Sequence, residues 1–175
     1  MHTFPLHPID QKPEVVEPDS PPSIVSLFLE QRLNSSDDYI VFQARLSFGQ
    51  VNLAVVCKFD VRGAEESVLE WEAQKWREVE EWAGIDEVVS PLAGYFERAE
   101  KVDEIGGMLV TLRHGERVER SRDLLIEQKQ RIYTVYERLH VQGLVHDDPG
   151  ARNVLYDKQT EQFKLCDLER SYNSR

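Results

Sequence analysis

Cysteine is scarce in these 175 residues: there are two, Cys57 and Cys166, each inside an apolar run and without CxxC spacing. That speaks against a disulfide framework or a cysteine-ligated zinc site and leaves buried free thiols in a reducing compartment. Long hydrophobic runs are missing too. No stretch approaches the roughly eighteen apolar residues of a membrane helix, and the opening MHTFPLHPIDQKPEVVEPDSPPS has neither the basic nor the apolar region of a secretory signal. An intracellular protein, cytoplasmic or nuclear, with no membrane partner is therefore expected. Basic charge is in deficit: 21 Lys and Arg stand against 32 Asp and Glu, a net charge of -11. A nucleic acid would be repelled on average, so none is expected as a partner. Proline is nearly confined to the start, with six of its eight copies in the first 22 residues. That density blocks helix and central strand alike and predicts an extended or disordered arm over 1–22.

What is present is a soluble globular composition, 41% hydrophobic and 30% charged, long enough for one packed domain or a two-lobed unit. From Ser23, the runs SIVSLFLEQRL, YIVFQARL and VNLAVVCKF read as an antiparallel meander, parted by NSSDD and SFGQ. In GAEESVLEWEAQKWREVEEWAG, Leu69, Ala73, Trp76, Val79 and Ala83 recur at helical spacing and Gly84 supplies a stop. LAGYFERA and GGMLVTL then read as a hairpin. SRDLLIEQKQRIYTVYERLHVQG gives a second helix, capped by Ser121 and closed by Gly143. The fold class is α+β.

The chemistry sits in LVHDDPGARNVLYDKQTEQFKLCDLE, residues 144–169. A hairpin turning near Gln159 and Thr160 sets Tyr156 near Lys164 and Val154 near Cys166, so that Asn153 and Asp167 emerge side by side. His146 and Asp148 enter the same end, and such a cluster of like charges calls for a hard divalent cation such as magnesium. Lys58, ending an otherwise apolar strand, needs a partner if buried. Glu72 falls within the apolar stripe of the first helix, with Glu66 as its rival.

VHDDPGARN resembles the catalytic loop of the protein kinase-like superfamily, whose pattern is His, any residue, Asp, four residues, Asn. LCDLE stands where the kinase Asp-Phe-Gly would be. The chain looks especially like the compact kinase-like proteins related to aminoglycoside and choline phosphotransferases, many of them fungal. The resemblance implies a kinase-like N-lobe over 23–112, with a five-stranded antiparallel sheet and one helix. It implies a minimal C-lobe over 113–175, with one long helix, the catalytic loop and a metal-binding hairpin. ATP and magnesium are the implied cofactors, and the acceptor is a hydroxyl on a protein or small molecule. Asp148 is the implied catalytic base, Asn153 and Asp167 the metal ligands, and Lys58 with Glu72 the phosphate clamp. Backbone groups from Thr111 to Arg113 are the implied adenine contacts, and His146 organises the loop, while His140 reads as a packing or capping residue. Three features depart from the pattern: NSSDD has no glycine where kinases have a Gly-rich lid, DLE lacks the final glycine, and the chain stops six residues after Glu169. The activation segment and large C-lobe helices are thus missing, as in a minimal or truncated kinase. The second helix should expose apolar surface that invites a homodimer or a protein partner. A pseudokinase or regulatory nucleotide-binding module is the alternative, and a metal phosphohydrolase using His146 and Asp147 is a third.

Overall fold

The computed structural model of the chain describes residues 7–8, 25–35, 38–61, 68–97 and 106–174. These form an α+β fold of two compact units. One takes the described residues up to Glu70 together with Ala93–Leu112, and the other takes Trp71–Leu92 with the residues from Arg113 onward. Among the described residues no helix is long and apolar enough to cross a membrane.

The first unit is one sheet. Its strands are β1 (His7–Pro8), β2 (Val25–Ser35), β3 (Tyr39–Phe48), β4 (Val51–Asp60), β5 (Leu92–Glu97) and β6 (Gly107–Leu112). The spatial order is β1-β5-β6-β4-β3-β2. The expected meander is β2 to β4, antiparallel throughout, and β6 adds antiparallel to β4. β1 is an edge pair only, Pro8 facing Phe96, a place where a residue without an N–H costs no ladder bond. The rest of the arm over 1–22, and the turn between β5 and β6, lie outside the described residues.

Residues paired across an antiparallel ladder share a face. The pairs Ala44 with Val55 and Cys57 with Val110 therefore build one buried face, completed by Phe96 and Met108. Burial there pushes the Cys57 thiol up to about 12, which keeps it protonated and inert. The opposite face carries Val41, Lys58, Leu109 and Thr111, as the register Val41 to Lys58 and Lys58 to Leu109 requires.

β2 runs on through Asn34 and Ser35, which the sequence reading placed in the turn. Register shifts between Leu29 and Gln31 and between Arg32 and Asn34 absorb the mismatch and keep the strand paired. Ser36 and Asp37 lie outside the described residues.

The first helix, α1 (Val68–Glu80), buries Leu69, Ala73, Trp76 and Val79. It stops short of the expected Gly84. The Trp82 N–H folds back to the Val79 carbonyl, Ala83 is exposed, and Gly84, at φ 72°, leads into a tight turn over Ile85–Glu87. Ile85, Val88 and Val89 then continue the apolar burial in place of Ala83.

The second unit also holds β7 (Glu116–Arg117), α2 (Ile126–Gln142), β8 (Leu144–His146), β9 (Val154–Asp157), β10 (Gln162–Leu165) and β11 (Ser171–Asn173). They pair as β10-β9-β7 and β11-β8. α2 begins four residues later than a Ser121 cap implies, because Ser121–Asp123 forms its own short turn and Leu124 and Leu125 are extended. The Gln128 side chain takes the capping role, accepting the Leu125 N–H at 2.9 Å. Gly143, left-handed at φ 106°, closes the helix as expected. Val135 and Leu139 face inward, while Ile126, Tyr133 and Val141 stay exposed. This is the apolar surface anticipated on the second helix.

Gly115 is the tightest turn position in this unit. Its φ is +54°, and a Cβ there would run into the backbone carbonyl of Tyr156. Gly115→Ala is expected to cost at least about 2–3 kcal/mol in denaturant unfolding. Gly49→Ala, also at positive φ (+56°) but in open space, should cost only about 1 kcal/mol. Equal losses at the two positions would refute the backbone clash.

Candidate functional site

Both ends of the candidate site's main segment are clasped by the short β8–β11 ladder, in which His146 faces Ser171 and Val145 faces Tyr172. His146 is buried, and its ring lies edge-on to Tyr136 at 5.7 Å. Nδ1 is 3.3 Å from the Asp148 N–H, which can only donate, so the ring proton belongs on Nε2, 3.2 Å from the Cys166 carbonyl. The imidazole thus ties the loop after β8 to the chain just beyond β10. With both nitrogens engaged by backbone, it has none for a metal, which removes the support for a hydrolase built on His146 and Asp147.

Asp148 sits at the start of that loop. Arg152 Nη2 donates to its Oδ1 at 2.5 Å and its Oδ2 at 2.7 Å. Asn153, fully buried, donates through Nδ2 to the Asp148 carbonyl at 2.8 Å and to Oδ2 at 3.1 Å. Desolvation pushes the Asp148 carboxyl upward, but the Arg152 and Asn153 hydrogen bonds and the charges of Arg152 and Arg170 outweigh it. They hold the carboxyl below the usual carboxylate range. The local fold follows from a tight turn over Ala151–Asn153, in which the Asn153 N–H bonds the Gly150 carbonyl at 2.9 Å. That turn brings Arg152 back over Asp148.

The hairpin register differs from the expected one by a residue. Tyr156 faces Phe163 rather than Lys164, and Val154 faces Leu165 rather than Cys166. The turn over 158–161 is centred between Gln159 and Thr160 as expected, but a symmetric turn there pairs odd with even positions. Stacking of Tyr156 on Phe163, centroids 4.6 Å apart, goes with that register. Asn153 therefore lies across from Cys166, whose N–H it accepts at 3.0 Å. Asp167 is not its cross-strand neighbour but the next residue on, in a left-handed conformation at φ 66°.

That bend carries Asp167 to different partners. Glu72, buried on α1, accepts the Leu168 N–H at 3.1 Å. Carboxylate oxygens of Glu72, Asp167 and Glu169 lie within 4.8 Å of one another. Three oxygen donors so close could hold a metal ion. A buried Leu168 between two acids was the available signal for Glu169. For Arg152 it was the four-residue offset from Asp148.

In the first unit, Lys58 is buried with Nζ 4.0 Å from the Tyr39 ring centroid, a cation–π contact with an aromatic that the sequence reading did not single out. Thr111 shares its face of the sheet, opposite Val56. Arg113 is exposed. His140 is exposed in the last turn of α2, and Glu66 lies outside the described residues. The structure thus joins Asp148 with Asn153, and Glu72 with Asp167. No protein-family model matches the chain, and no curated protein matches its sequence.

Proposed function

We propose that the chain is an ATP- and magnesium-dependent phosphotransferase of kinase-like fold that acts on a hydroxyl acceptor. The observation that carries this reading is the pairing, within one unit, of an ionised loop carboxylate at Asp148 with a carboxylate group at Glu72, Asp167 and Glu169. In the reaction the acceptor oxygen bonds to the γ-phosphorus as the bond from that phosphorus to the β,γ-bridging oxygen breaks. The hydroxyl proton passes to Asp148 and ADP leaves. Asp167 and Glu169, with Glu72 of the same carboxylate group, are the residues proposed to hold magnesium, which when bound offsets the charge of the nucleotide phosphates, while Asn153 holds Asp148.

A regulatory nucleotide-binding module without transfer is the second reading, and one observation favours it: Arg152 covers both oxygens of Asp148. A thermal-shift titration tests both. Magnesium with ATP should raise the melting temperature more than either alone, and ADP should form above the protein-free background. Binding without ADP formation under any acceptor assigns the module. No binding of nucleotide or metal sinks both readings.

A further inference from the structure

We infer that the acceptor carries an anionic group, a carboxylate or a phosphate, which Arg152 receives, uncovering Asp148. The inference rests on the phosphotransferase reading and names its substrate class. In a chain of net charge -11, two arginines bear on one aspartate of the loop. Arg152 makes its contact through Nη2 alone, although a guanidinium offers five donors in a planar fork. The Nη1 and Nε donors are spent on no described residue. The Arg152 side chain is 63% exposed against 24% for Asp148, so the cation, not the base, faces solvent. Such half-exposed ion pairs are weak, about 0–1 kcal/mol, and exchange readily.

Arg152 packs closely over Gly150, where a Cβ would lie 3.0 Å from Nη1. Arg152 and Asn153 together place three donor contacts on the Asp148 carboxylate, and a base so engaged takes a hydroxyl proton more readily once the guanidinium moves off. The fork of Arg152 matches carboxylate and phosphate bidentately. An acceptor with such a group would draw Arg152 away and deliver its own hydroxyl to the vacated carboxylate in one event.

The test titrates D-glycerate and inorganic phosphate, with glycerol as the neutral control, into the full chain by calorimetry without nucleotide. Wild type should bind both anions and not glycerol. Arg152→Gln should weaken anion binding at least tenfold. Asp148→Asn should tighten it several-fold, because the internal competitor for Arg152 is gone, whereas Asp147→Asn, at an exposed neighbouring position, should change it less than twofold. Equal anion affinity in wild type and Arg152→Gln overturns the inference. So does loss of glycerate binding once MgATP saturates the protein, which would give Arg152 to the nucleotide's phosphate instead. Turnover then separates the two levels. Anion binding as expected without transfer to any acceptor sinks the phosphotransferase reading and leaves the anion site. Transfer to glycerol that exceeds transfer to glycerate, and is indifferent to Arg152→Gln, sinks the inference and leaves the reading.

Discussion

Asp148→Asn is expected to lower phosphoryl transfer by about two to four orders of magnitude, the usual range for losing a general base, while magnesium-dependent ATP binding survives. The substitution keeps the side chain's size and can still accept the Asn153 amide through its own carbonyl oxygen. The loop should therefore hold, because its frame is the backbone contact of His146 with the Asp148 N–H and of Asn153 with the Asp148 carbonyl. What is lost is the charge. The pH profile gives a second readout. In the folded protein the Asp148 carboxyl sits below its ordinary range, so the ionised base persists as pH falls and fades only at a pH below that of a free carboxylate. Arg152→Gln removes the chief opposing contact to desolvation and should move the acid limb upward. Turnover that is unchanged in Asp148→Asn, with ATP still bound, would show that Asp148 is not the base.

The second large effect belongs to Asp167. Its carboxylate is one of three within 4.8 Å, and its backbone is left-handed at φ 66°. These two properties separate by substitution. Asp167→Asn keeps a side chain that tolerates the left-handed region but cannot balance a divalent charge, so magnesium-dependent nucleotide affinity should fall about a hundredfold or more with stability nearly unchanged. Asp167→Gly should lose the metal response equally and relieve the backbone. Asp167→Ala should lose it as well and in addition cost about 1–2 kcal/mol of stability by denaturant unfolding. An undiminished magnesium response in Asp167→Asn would show that the acidic group holds no cation. If alanine and glycine proved equally stable, the bend would not be a strained one.

Periodicity made much of this legible. The apolar stripe of α1 placed Leu69, Ala73, Trp76, Val79 and the buried Glu72 correctly, because a 3.6-residue repeat fixes which positions share a face. The otherwise apolar run VNLAVVCK likewise pointed to a buried Lys58, although β4 continues past it to Asp60. What could not be read was decided by single-residue geometry. The hairpin register turned on whether a loop spans an odd or even number of residues, and a one-residue slip exchanged Asp167 for Cys166 opposite Asn153. The end of α1 and the start of α2 depended on local hydrogen bonds, such as Gln128 to Leu125, that competed with the more obvious capping residues. Arg152 and Glu169 left only faint local signals, because their roles come from chain reversals that carry no periodic pattern.

The β8–β11 clasp gives the segment from His146 to Ser171 the topology of a closed ring, with Asp148, Arg152, Asn153, Asp167 and Glu169 all on its circumference. Opening three cross-strand pairs would set that whole ring loose, so its integrity is governed by a latch of backbone pairs that includes none of the acidic residues themselves. Exchange of the Val145 and Tyr172 amides with deuterium therefore reads the free energy of that opening directly. A ligand gripping any point on the circumference should slow exchange at the latch, turning two distant backbone protons into reporters of occupancy.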